Sequence, residues 1–97
     1  MEELKRQFTE DMVQLCKDIK ENSHNPSRFI QMLKDGDSVD TVKRLVMNEP
    51  TDTFIKLAAI RKLDLTVENY VVMPKYKELF DDEIIKICEK RLSDYKY

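Results

Sequence analysis

The chain has one glycine, three prolines and no tryptophan among its 97 residues. All-β domains use glycine and proline at turn after turn, so this scarcity argues against them. It also removes the glycine-rich loops that cradle phosphate groups. Two cysteines, Cys16 and Cys88, stand 72 residues apart, each inside an apolar helical pattern. A small secreted domain carries more cysteines at closer spacing, so both are expected to be reduced, buried thiols. No charge excess exists: 17 basic residues face 19 acidic ones, a net charge of −2. The balance holds in both halves, with 8 basic and 10 acidic side chains in residues 1–49 and 9 of each in 50–97. Nucleic-acid binders usually show a basic excess and DNA mimics a strong acidic one. No run approaches the ~18 consecutive apolar residues of a membrane span. The opening Met-Glu-Glu-Leu-Lys-Arg has no apolar segment of the signal-peptide kind, so the expected compartment is the cytoplasm.

Mixed charge (37%) and adequate apolar content (41%) indicate a folded chain rather than a disordered one. The length suits one domain able to build a core without metals or disulfides. Leu4, Phe8, Met12, Leu15 and Ile19 recur at helical period and predict a long helix over 2–22. That stripe is narrow enough to serve a homodimer as well as a core. The remainder, 26–93, reads as a compact set of short helices. Asn25 is expected to cap a helix with Pro26 at its first position, and Gly36 to end it in the left-handed region. Asp37 or Ser38 caps the next helix, which presents Val39, Val42, Leu45 and Val46 inward and stops before Glu49-Pro50. Thr51 or Asp52 starts a helix through Phe54, Ile55, Leu57, Ala58, Ala59 and Ile60, expected to be the most buried. Val67–Met73 has β propensity, but a lone strand lacks a partner, so helical turns are expected. A turn with Tyr76, Leu79 and Phe80 follows Pro74. Asp81 or Asp82 starts the last helix, with Ile84, Ile85, Ile87, Cys88 and Leu92 inward and a fraying tail behind. The expected fold is all-α, five or six mostly short helices packed around 54–60.

Leu63-Asp64-Leu65-Thr66-Val67-Glu68, Pro74, Tyr76, Leu79-Phe80, Glu83-Ile84 and Arg91-Leu92 with Tyr95 behind resemble the end of small uncharacterised proteins of Gram-positive bacteria and their phages. The resemblance covers about residues 41–97. It implies a bacterial or phage setting and no mechanism.

Chemical signatures are sparse. A zinc site would have to assemble Cys16, His24 and Cys88 from distant parts of the chain. Asp35-Gly36-Asp37-Ser38-Val39-Asp40 fails the calcium-loop pattern, since Asp40 stands where glycine is needed and Val46 where the bidentate acid belongs. No base accompanies either thiol, and the Asp81-Asp82-Glu83 cluster is what a helix start favours. The expected protein is therefore not an enzyme and uses no cofactor. Its expected role is a protein-interaction module that binds or inhibits another macromolecule. Tyr70, Tyr76, Tyr95 and Tyr97, concentrated in the last 28 residues, are the candidate partner surface, because tyrosine combines an apolar ring with a water-tolerant tip. The alternative is a small DNA-binding regulator with a helix-turn-helix at 39–62, whose Thr51, Thr53, Lys56 and Arg61 would reach the bases.

Overall fold

The 3.6-residue stripe near the start of the chain becomes the longest element. In the computed structural model, which describes residues 2–96, helix α1 runs over Glu2–Asn22. Phe8, Met12, Leu15, Cys16 and Ile19 are buried along its inner face. Each large side chain so buried is worth about 1.5–3 kcal/mol. Glu2 and Glu3 occupy its first turn and Lys20 its last, matching the helix dipole. On its outer face Arg6 bridges Glu3 and Glu10; such exposed pairs add little. The stripe is turned into the core of the chain. It is covered by α2 (Ser27–Asp35), by α3 (Ser38–Met47) and by a 3-10 turn over Leu63–Leu65.

Six α-helices and no strand occur among the described residues. The others are α4 (Asp52–Ala59), α5 (Val67–Val71) and α6 (Asp82–Asp94), with a second 3-10 turn at Lys77–Leu79. An all-α bundle is the fold. Of the Val67–Met73 segment expected to form helical turns, Val67–Val71 is helical. Thr66 starts it by accepting from Asn69 N while its own hydroxyl donates to Leu63 O. Asp37 accepts from Val39 N and Asp40 N to begin α3, and Thr51 accepts from Phe54 N to begin α4. Each satisfies donors that the helix itself leaves free.

Four expectations need correction. Pro26, not Asn25, stands at the start of α2: its carbonyl accepts from Ile30 N, and no side chain caps the end. Gly36 is extended (φ −158°), and a Cβ there would meet nothing closer than 4.0 Å. The left-handed cap occurs instead at Arg61 (φ 60°). Arg61 N donates to Ala58 O and Lys62 N to Leu57 O, the paired bonds of a Schellman end to α4. Helix α4 is not the hub. Phe54, Leu57 and Ala58 are buried, but Ile55 and Ile60 remain 45% and 46% exposed. An apolar face that covers more than half of a short helix cannot turn wholly to one core, and α4 rests chiefly on the 63–65 turn. The centre lies where α1, α3 and α6 meet, with α5 against α6. At the expected fraying end, Tyr95 is held: it packs edge-on against Phe54, with ring centroids 5.1 Å apart.

A non-glycine residue in the left-handed region carries a strain of about 1–2 kcal/mol. Arg61→Gly removes it at some cost in unfolded-chain freedom. The variant should gain about 0.5–1 kcal/mol, raising the midpoint of thermal unfolding by roughly 2–6 °C. Calorimetry of the two proteins checks this.

Candidate functional site

The α1–α2 connection, helix α2, the C-terminal half of α3, the N-terminal half of α4, the 63–65 turn and the start of α5 surround an open cleft of about 690 Å³. Its floor is apolar: Met32, Leu45, Leu65 and Val67 are half-buried there, between Pro26 and Pro50. Arg28, Arg44 and Lys56 stand exposed on its rim. None of the three forms an ion pair or a side-chain hydrogen bond with any described residue. At one edge His24 Nδ1 shares a hydrogen bond with Ser23 Oγ (2.8 Å) and Nε2 with Thr53 Oγ1 (3.0 Å).

Behind the cleft is a buried ion pair. Glu68 and Arg91 have side chains 3% and 10% exposed, and Arg91 Nη1 donates to Glu68 Oε2 at 2.9 Å. Arg91 Nη2 donates to Val46 O (3.1 Å) and Asn48 O (2.8 Å), and its guanidinium stands 6.0 Å from the Phe54 ring. Burial pushes the Glu68 carboxyl pKa up, and the Arg91 hydrogen bond pulls it back only in part. One side chain of α6 thus joins the end of α3, the inner face of α4 and α5.

The described tyrosines differ in burial. Tyr76 is fully buried, edge-on to Phe8 at 5.0 Å, and its hydroxyl donates to the Asp11 carboxylate. Burial and that carboxylate push the phenol pKa well above its usual range. Tyr76 is therefore a core residue, which corrects its reading as a partner contact. Tyr70 is half-buried against the core and Tyr95 half-buried against Phe54. Tyr97 lies outside the described residues.

The set considered for DNA is partly brought together and partly occupied. Thr51, Thr53 and Lys56 line the cleft, while Arg61 stands beyond the end of α4. The Thr51 hydroxyl is held by the α4 cap and Thr53 by His24. Helices α3 and α4 pack mainly on other elements, α3 on α1 and α6 and α4 on the 63–65 turn, unlike the mutually packed pair of a helix-turn-helix.

Compared with family models, curated proteins and solved structures, the chain matches none. The site is defined by its own residues alone. Among the described residues no group of His, Cys, Asp and Glu side chains is arranged to hold a metal ion, and no helix is long and apolar enough to cross a membrane. Cys16 and Cys88 are free and buried, their thiol pKa values pushed by burial to about 11 and about 12, the reverse of what a nucleophile requires. Asp37, drawn from the acidic stretch 35–40, is committed to the α3 cap.

Two features escaped the sequence reading. Arg28 and Arg44 were not singled out; each falls on the polar face of its helix, like any solvated cation, and only the fold shows that they border one cleft. The exposure of Ile55 and Ile60 had a sequence signal, since the apolar residues of 54–60 cover more than half of the circumference of a short helix and one contact face cannot bury them all.

Proposed function

We propose that the protein is a non-enzymatic interaction module that binds, and by binding inhibits or recruits, another protein through α4 and the adjoining cleft. The observation that carries this is the uncovered apolar surface. Of the exposed large hydrophobic residues among those described, Met47, Ile55 and Ile60 fall within one short stretch of chain, and only Val13 lies elsewhere. Each isoleucine keeps nearly half of its surface in water and so forgoes part of the about 1.5–3 kcal/mol that full burial is worth. Exposed aliphatic side chains gathered along one short stretch are characteristic of a partner-binding surface. The resemblance of residues 41–97 to bacterial and phage proteins makes a host factor or a defence component a natural target.

The test is a pull-down from a bacterial lysate with and without nuclease, comparing the natural chain with an Ile55→Asp, Ile60→Asp variant. One stoichiometric protein should survive nuclease and be lost by the variant. The variant's thermal unfolding should stay close to the natural value, because both side chains are already exposed. Recovery of nucleic acid, or of partners that vanish with nuclease, would overturn the proposal and return attention to residues 39–62.

A further inference from the structure

We infer that the cleft takes an acidic, apolar-anchored segment of the partner protein, whose carboxylates meet Arg28, Arg44 and Lys56 while its aliphatic or aromatic side chains enter the floor. The inference rests on the interaction reading above and names what is bound.

The charge distribution is the first support. The chain as a whole carries −2, yet the exposed charges of the cleft are three cations against one carboxylate, Asp52. Glu68 also borders the cleft, but it is neutralised by Arg91. Positive groups around a concave wall of low dielectric concentrate their field there, and three that lack partners among the described residues have hydrogen-bonding capacity to offer a ligand.

The floor decides the kind of anion. A phosphate or other small anion would leave Leu45, Leu65 and Val67 in contact with water and gain nothing from them. A nucleic-acid strand would gain from exposed ring faces on which bases stack. The aromatic residues bordering the cleft, Phe29 and Phe54, are only 7% and 2% exposed and offer none. A peptide with acidic and apolar residues interspersed satisfies rim and floor together. The cleft volume, about 690 Å³, lies within the roughly 300–1,000 Å³ of sites that bury a ligand of a few side chains.

A library of random dodecapeptides displayed on yeast, selected on the intact chain, tests this directly. Enriched peptides should combine Asp or Glu with Leu, Ile or Phe. A labelled selected peptide should bind less tightly as salt rises, and about tenfold or more weakly to an Arg28→Glu, Arg44→Glu, Lys56→Glu variant. Should that variant fail to fold, Arg44→Gln serves as the single-site comparison, with a weaker loss expected. Absence of enrichment, peptides with no acidic bias, equal binding to the charge-altered chain, or tighter binding of a labelled oligonucleotide or of pyrophosphate would each overturn the inference. If the pull-down still yields a partner that depends on Ile55 and Ile60, the interaction reading stands while this inference falls.

Discussion

Replacing Arg91 by methionine should lower the unfolding free energy by about 3–5 kcal/mol at neutral pH, because it strands a buried carboxylate. Methionine keeps much of the apolar stem against Phe54 but donates nothing to Glu68, Val46 O or Asn48 O, all held by Arg91 in the natural chain. The loss should depend on pH with a definite sign. The folded Glu68 pKa already lies above its ordinary value, burial outweighing Arg91. A raised folded-state pKa means that Glu68 favours folding below its unfolded pKa, and that this contribution is lost as pH rises through the folded pKa. Without Arg91 the folded value moves higher still. The variant's deficit should therefore be smallest near about pH 4, where Glu68 becomes a neutral acid, and should reach its full size above neutrality. Urea unfolding of both proteins across that range reads it. A deficit that does not change with pH would assign the loss to the two carbonyls instead. Adding Glu68→Leu should recover part of the stability, since replacing both members of a buried pair by apolar groups is often neutral.

Leu15→Asp should abolish the fold. Leu15 is fully buried on the inner face of α1. The substitution removes its burial and places a charge where no partner exists, a combined cost on the order of 5 kcal/mol or more. Domains of this size have about 5–15 kcal/mol in total. Circular dichroism should show loss of helix at room temperature. A folded variant with half the solution mass of the natural chain would instead assign the stripe to an interface between copies of α1.

Local signals in the sequence were the reliable ones. The α1 stripe, the caps at Asp37 and Thr51, the stop before Pro50 and the helical reading of Val67–Val71 depend on residues within a turn or two of one another, and all appear in the structure. What failed depended on the rest of the fold. Gly36 looks like a left-handed cap, yet the chain leaves α2 extended and spends its left-handed residue on Arg61, because the end of α4 must reverse to place the 63–65 turn against it. Tyr76 and Tyr95 have the same side chain and nearly the same local polarity. One is buried only because Phe8 and Asp11 of α1 meet it from 65 or more residues away, and the other is held by Phe54. The cleft was legible only in pieces: Thr51, Thr53 and Lys56 were singled out for another reason, and nothing local ties Arg28 to Arg44.

The two buried thiols give the molecule built-in reporters of its own motions. With its pKa pushed by burial to about 11, the Cys16 sulfur stays a thiol at neutral pH, and Cys88 is fully enclosed on α6. An alkylating reagent therefore waits for the structure to open. Cys16 sits on the first helix and Cys88 on the last, so the ratio of their labelling rates distinguishes a chain that opens as one unit from one that releases a single helix at a time.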